Sequence, residues 1–340
     1  MDGKHSPVCV TGASGFVGSY VVGELLSRGY DVRATVRDPS DEAKTAHLRR
    51  MGDVKLVAAD LGEPGSFDEA VAGCRSVVHV ASTVQLSAKD PQREIVDVAV
   101  EGTKNVLASV AKAGTVRRVV QTSSVAAIID PAMPDGHVYT EADWNETATV
   151  GDSPYDVSKR EAERAARTFR DQLPADERFE LSAIHPSFVL GPVLTKAHLK
   201  SSPSMIRTLL KRQYPACPNL SFAIVDVRDV ATAHAQALEV EHPPPRNIVA
   251  HESLFMPEVA RILKEHFPDS RVPTAKMPDV VMYLAPLFDK RLSLGFIRRN
   301  LGRKRTLSSA LAERELQLTF RPVEQTLTDC ARSILDAGWA

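Results

Sequence analysis

The chain has 340 residues, 43% of them apolar, and a formal net charge of −1. That length accommodates one large α/β unit plus a smaller lobe, and the apolar share excludes a disordered chain. The balanced charge excludes the dense basic surface that nucleic acid or an anionic membrane needs, and no run approaches the ~20 apolar residues of a membrane span.

The opening MDGKHSPVCVTG has no apolar stretch behind its lysine and does not read as a signal peptide. Cys9, Cys74, Cys217 and Cys330 lie far apart with no CxxC or zinc spacing, so they read as reduced thiols of a cytoplasmic protein, Cys9 as a small buried hydrophobe.

In chain order, apolar strand-like runs alternate with helical patterns. Val8–Thr11 is a short β-branched strand, and Phe16–Arg28 is a helix capped by Gly29. Asp31–Val36 is a second strand, Asp41–Met51 a helix closed by Gly52, and Val54–Ala59 a third strand. Ser66 and Glu69 have capping-box spacing ahead of a short helix. Ser76–Ala81 is a fourth strand, Pro91–Ala113 a long helix ended by Gly114, and Arg118–Thr122 a fifth strand. Pro154–Leu173 is a helix and Glu180–Ile184 a sixth strand. Strands this apolar, each followed by a helix, predict a Rossmann-type, doubly wound parallel sheet with its ligand crevice at the strands' carboxyl ends. Near Pro186 the pattern breaks and prolines become frequent. Residues 1–185 plus about 222–240 are therefore expected to form the dinucleotide-binding domain, with Phe222–Leu238 as one more strand–helix unit of its sheet. About 186–221 and 241–340 are expected to form a smaller substrate-binding lobe, closed by a structural helix near Val323–Ala337.

The turn after the first strand reads Thr11-Gly12-Ala13-Ser14-Gly15-Phe16-Val17-Gly18. Gly12 permits a tight turn, Gly15 lets the backbone approach a pyrophosphate, and Gly18 lets the helix pack on the sheet. The helix N-terminus then offers free N–H groups to phosphate. The second strand ends in Arg37, where an acid would bind the 2′-hydroxyl of NAD; a guanidinium suits the 2′-phosphate of NADP, with Lys44 as a second cation. The adjacent Asp38 keeps NAD as the alternative.

Ser153-Pro154-Tyr155-Asp156-Val157-Ser158-Lys159 begins a helix, with Ser153 as N-cap, Pro154 at the first position, and Asp156 able to return a bond to the cap. Tyr155 and Lys159 then share one face. A neighbouring ammonium stabilises a phenolate and draws its pKa toward the working range. Thr122-Ser123-Ser124 ends the fifth strand, so a hydroxyl there points into the crevice. His79 and His185 have no second metal ligand at a plausible spacing and read as core residues; Asp226 and Asp229 read as loop and helix-cap groups.

These residues resemble the extended short-chain dehydrogenase/reductases, in the branch of dihydroflavonol 4-reductase and cinnamoyl-CoA reductase with their microbial carbonyl reductase relatives. The resemblance spans nearly the whole chain: VTGASGFVGSYVVGELLSRGYDVRATVRDP, AADL, VVHVAS, VEGTKNVL, RRVVQTSS, YDVSK, HPSFVLGP and VDVRDVATAH. It implies Ser124, Tyr155 and Lys159 as catalytic, Arg37 and Lys44 as ligands of the 2′-phosphate, and Asp60 and Leu61 beside the adenine. It also implies Ala81 and Ser82 along the dinucleotide, and Pro186 to Val189 at the nicotinamide. Where plant dihydroflavonol reductases commonly carry an Asn, this chain has Ile129; where cinnamoyl-CoA reductases read NWYCYGK, it reads SPYDVSK; and Ala99 stands where many epimerases carry an Asn. These departures point away from both plant substrates and from a sugar epimerase. The expected activity is reversible reduction of a ketone or aldehyde by NADPH. Oxidation of a hydroxysteroid-like alcohol, or a non-catalytic dinucleotide sensor, are the alternatives. The substrate pocket is expected from Thr83, Ser124, Val125, Ile129, Phe188 and Met205, an apolar lining suited to hydrophobic small molecules, in a monomer or homodimer.

Overall fold

The computed structural model describes residues 6–82, 88–284 and 294–340. Its strands in chain order are β1 (Val8–Thr11), β2 (Val32–Val36), β3 (Val54–Ala58), β4 (Ser76–His79), β5 (Arg118–Thr122) and β6 (Val138–Tyr139). They continue with β7 (Glu180–Pro186), β8 (Phe188–Leu190), β9 (Ser221–Asp226), β10 (Arg246–Val249), β11 (Glu252–Phe255) and β12 (Thr306–Leu307). The helices are α1 (Phe16–Ser27), α2 (Glu42–Met51), α3 (Asp68–Val71), α4 (Val98–Ala113), α5 (Pro154–Gln172) and α6 (Ser204–Leu210). After them come α7 (Val227–Glu239), α8 (Met256–His266), α9 (Asp279–Met282), α10 (Leu294–Asn300), α11 (Ala310–Glu315) and α12 (Val323–Asp336).

Seven strands form one parallel sheet in the order β10-β7-β5-β4-β1-β2-β3. Helices cover both faces, as such strands require. Val10, Val78 and Val120 are fully buried at its centre, and burial of such a side chain contributes about 1.5–3 kcal/mol. The chain winds outward from β1 to β3, then returns to lay β4 on the other side of β1. This reversal opens a crevice at the carboxyl ends of β1 and β4, where Thr11 pairs with His79.

A second sheet, β11-β9-β8, carries its own core with α6, α8 and α12, built on Leu190, Ile206, Ile224, Leu263 and Leu327. β12 pairs with β6 as a separate two-stranded ribbon.

The structure corrects four local expectations. Phe222–Leu238 does not enter the large sheet as a unit. Its strand, β9, pairs with β8 and β11, whereas its helix, α7, packs its alanine and valine face into the large core with α1. The edge beside β7 is taken instead by β10, a fully buried four-residue strand just after Pro243–Pro245. β4 stops at His79, two residues early, where the chain turns into the crevice. Ser66 caps no helix, because its hydroxyl is bonded to the Asp60 backbone at 2.8 Å. Finally, the helix predicted from Pro91 opens with a π-helical turn, Gln92–Asp97, before α4 begins.

Candidate active site

The turn from β1 to α1 is set by steric limits at two glycines. Gly12 has φ +66°, and a Cβ there would lie 2.7 Å from the Ala81 Cα, so the end of β4 passes directly against the turn. A Cβ on Gly18 would lie 2.3 Å from the Gly12 carbonyl oxygen, so the helix sits on the turn only because that atom is absent. α1 starts after Gly15 with no side-chain cap and no acidic residue in its first turn. Its first N–H groups therefore remain for an anion, as a dinucleotide's phosphates require. Ser14 and Val17 are half-buried, Gly15 is exposed and Phe16 is buried.

At the end of β2, Arg37 is exposed and Lys44 is exposed in an ion pair with Asp41. The Asp38 carboxylate is turned back onto Ser40, accepting from its backbone N–H at 2.8 Å and its hydroxyl at 2.6 Å. Asp60 accepts from the Gly62 N–H at 2.8 Å, and the Leu61 carbonyl accepts from Asn105 at 2.8 Å, which ties that stretch to α4.

Ser153 precedes α5 and Pro154 opens it, as the spacing predicts, and Asp156 is hydrogen-bonded to Ser153. Arg299 of α10 donates to the Ser153 hydroxyl at 3.0 Å, which docks the second lobe beside Tyr155. Burial pushes the Asp156 carboxyl up to about 6 against the opposing effects of Arg299 and Ser153. Lys159 is buried and donates to the Ser82 hydroxyl at 3.1 Å, with its ammonium 5.8 Å from the centre of the Tyr155 ring. Burial lowers Lys159 to about 8 and raises Tyr155 to about 12, the latter opposed by a hydrogen bond with Ser124. The two serines of β5's end divide their work. Ser123 donates to buried Glu163 at 2.8 Å, which leaves Ser124 facing the phenol. Ser124 also accepts from the Ala126 N–H, which fixes its backbone at the crevice rim.

The expected pocket residues fall in two groups. Val125 and Ile129 pack with Ile128, Tyr139 and Ile248, beside the large sheet. Phe188 and Met205 belong to the core of the second lobe, where Phe188 lies 4.7 Å from Phe222, centre to centre. Pro186 ends β7 and Val189 lies in β8, both buried, and Thr83 falls outside the described residues.

Contacts around the site join residues far apart in the chain. Thr11 and His79 share a bond of 2.9 Å, and Thr11 accepts from the Ala81 N–H at 3.0 Å, joining the ends of β1 and β4. Burial, reinforced by the Lys159 charge, lowers His79 to about 3 and keeps it neutral. Under the glycine turn, the Ser19 hydroxyl lies 2.7 Å from His47 Nε2 and 3.4 Å from His198 Nε2. His185 is bonded to Glu163, while Asp226 and Asp229 accept from Arg228 and Arg321, respectively. All four cysteines are free and buried. Among the described residues, no cluster of His, Cys, Asp or Glu could hold a metal ion, and no helix is long and apolar enough to cross a membrane.

Comparison with known proteins places this arrangement among reductases. The model of the NAD dependent epimerase/dehydratase family matches residues 8–250. Cinnamoyl-CoA reductase CAD2 of Medicago truncatula is 40% identical over 277 residues, 78% of this chain and 82% of the relative. Dihydroflavonol 4-reductase of Gerbera hybrida is 34% identical over 287 residues, 80% of this chain and 75% of the relative. Among solved structures, yeast methylglyoxal/isovaleraldehyde reductase Gre2, complexed with NADPH, superposes with a TM-score of 0.81. It is 27% identical and covers 98% of this chain and 100% of its own.

Proposed function

The chain belongs to the NAD dependent epimerase/dehydratase family and is an NAD(P)-dependent reductase of the extended short-chain type, and on that premise we propose that it reduces a ketone or aldehyde to the alcohol with NADPH. The observation that carries this reading is the convergence of Ser124, Tyr155 and Lys159 at the crevice beside the uncapped start of α1. The residues fit the cofactor. Gly12, Ser14, Gly15, Phe16, Val17 and Gly18 would hold the diphosphate, Asp60 and Leu61 the adenine side, and Ala81, Ser82, Pro186 and Val189 the nicotinamide half. Arg37 and Lys44 would hold the 2′-phosphate, and the Asp38 carboxylate is engaged by Ser40. NADPH supplies the hydride that the carbonyl carbon receives.

The protein's own groups act on the carbonyl oxygen. Ser124 and Tyr155 donate hydrogen bonds to it, and these strengthen as negative charge grows there, favouring the transition state over the ground state. Tyr155 then delivers its proton, and the Lys159 ammonium stabilises the phenolate that remains. The same lysine would hold the ribose of the cofactor. Segment 187–226, which includes β9, and the segment from 251 onward, less α11, form the substrate lobe, with Val125, Ile129, Phe188 and Met205 as the apolar side that favours hydrophobic carbonyls.

The test is a panel of alkyl and aryl ketones and aldehydes, with NADPH and NADH oxidation followed separately. NADPH should be consumed with higher kcat/KM than NADH. Tyr155→Phe, which keeps the ring but removes the acid, should lower kcat by about 10²–10⁴-fold with NADPH binding retained. A wild type that oxidises neither cofactor with any carbonyl, or a Tyr155→Phe variant with wild-type turnover, overturns the reading.

A further inference from the structure

Two turns along α5 from Tyr155, and one beyond Lys159, Glu163 is buried with no exposed surface. The spacing puts all three on one side of the helix. Four side chains donate to its carboxylate. Oε2 accepts from the Ser123 hydroxyl at 2.8 Å and from His185 Nε2 at 2.6 Å; Oε1 accepts from Arg246 Nε at 2.8 Å and Arg167 Nη2 at 3.0 Å. Arg246 is itself fixed. It lies 3.9 Å from the centre of the Trp144 ring and donates to the carbonyls of Glu141 and Asp143, each at 2.6 Å. Burial works to raise the Glu163 carboxyl, but His185, Arg246 and Arg167 outweigh it and hold the group well below the usual carboxylate range.

The donors sit where the chemistry needs rigidity. Ser123 immediately precedes Ser124, and His185 immediately precedes Pro186 at the end of β7. Arg246 opens β10, the strand paired with β7. One carboxylate on α5 thus grips three neighbouring strands of the sheet. A buried ion cluster is weak evidence for stability, since apolar packing often serves as well. What apolar packing cannot supply is a directional lock between the helix bearing Tyr155 and Lys159 and the strand bearing Ser124.

We infer that Glu163 is a positioning residue for the carbonyl reduction proposed above, clamping β5, β7 and β10 to α5 so that Ser124 and Tyr155 converge on one oxygen. The inference rests on that reading of the site. Small displacements of this kind are costly, because misplacement by about 1 Å can lower a rate about 100-fold.

The test compares Glu163→Gln, Glu163→Ala and Ser123→Ala for kcat, NADPH dissociation constant and Tm. The Gln amide can accept from both arginines and donate to Ser123 and to His185 in its other tautomer. Glu163→Gln should therefore lose thermal stability, as Arg246 loses its counter-charge, yet keep kcat within about threefold of wild type. Glu163→Ala should lose about 10–100-fold in kcat with the NADPH dissociation constant changed less than about threefold, and Ser123→Ala should lose several-fold. A merely structural role would move Tm alone. A folded Glu163→Ala variant with kcat within about twofold of wild type overturns the inference. If that variant is not recovered folded, unchanged kcat in Ser123→Ala overturns it. A wild type inactive on every carbonyl overturns the underlying reading and this inference with it; an active wild type with indifferent variants overturns this inference alone.

Discussion

Lys159 and Tyr155 are displaced in opposite directions by the same cause. Burial brings the ammonium down to about 8 and lifts the phenol to about 12. Across the neutral range the phenol stays protonated, so of these two groups the lysine titrates first as pH rises, and its charged form is lost above about 8. The kcat/KM for NADPH in the reductive direction, which reports the free enzyme, should therefore fall above about pH 8, near tenfold per unit. Lys159→Arg keeps its charge throughout and should remove that limb at lower overall activity. A wild-type profile level to about pH 9.5 would show that Lys159 is not the group in play. At this scale the sequence reveals residues whose partners lie one helical turn away, which is why Tyr155 and Lys159 can be named from spacing, whereas the choice of Ser124 within Thr122-Ser123-Ser124 comes from the family resemblance. Glu163 has the same spacing from Lys159, but its meaning depends on Arg246, 83 residues on, in a stretch that reads as a proline-rich loop. His47 and His198 meet at Ser19 across 28 and 179 residues, and nothing local marks either one.

Among the elements, β9 leaves the large sheet in which its strand–helix unit is expected, and β10, for which no strand is expected, takes the edge beside β7. Both are short, β10 opens with Arg246 and Asn247, and period alone does not say which sheet edge a strand joins. The boundaries of β1, β5 and α5, by contrast, follow from β-branched runs and from Ser153-Pro154, because those signals act locally. Arg118 shows how an element can be finished by a distant residue. From the start of β5 it donates to the carbonyls of Leu238, Val240 and Glu241 at 2.8, 2.6 and 2.8 Å, and to Glu180 at 2.7 Å. It thereby satisfies the C-terminal end of α7, whose last carbonyls have no partner within the helix. Arg118→Ala should destabilise the fold by about 1–3 kcal/mol, because charge-assisted bonds to otherwise unpaired acceptors are lost. Thermal unfolding checks it, with kcat of the folded variant expected to stay near wild type. An unchanged Tm would mean that water replaces the guanidinium at no cost.

At the scale of the whole molecule, the two sheets are stitched together by very short crossings. β7 passes into β8 through Ser187 alone, β9 runs directly into α7, and only Ala250 and His251 separate β10 from β11. The second lobe is therefore no appendage, and the apparent boundary near Pro186 is a fold in continuous chain. Residues 1–185 alone lack both α7, which covers α1, and β10, which covers β7. That fragment should show no cooperative thermal transition, whereas the full chain should; calorimetry on both decides it, and a cooperative melt of the fragment would show that the sheet closes without them.

The late arrival of β10 has a consequence for the nascent chain. β7 ends at Pro186, and its outer neighbour begins some 60 residues later at Arg246. At about 5–20 residues per second on the ribosome, that edge waits roughly 3–12 s for its partner. Six of the seven residues of β7 are buried in the finished protein, so through that interval a strand that belongs in the core, with open N–H and C=O groups, stands ready to pair with another chain. The interval of greatest aggregation risk for this protein falls during its synthesis, between the emergence of β7 and that of β10, and slowing translation across codons 187–246 lengthens it.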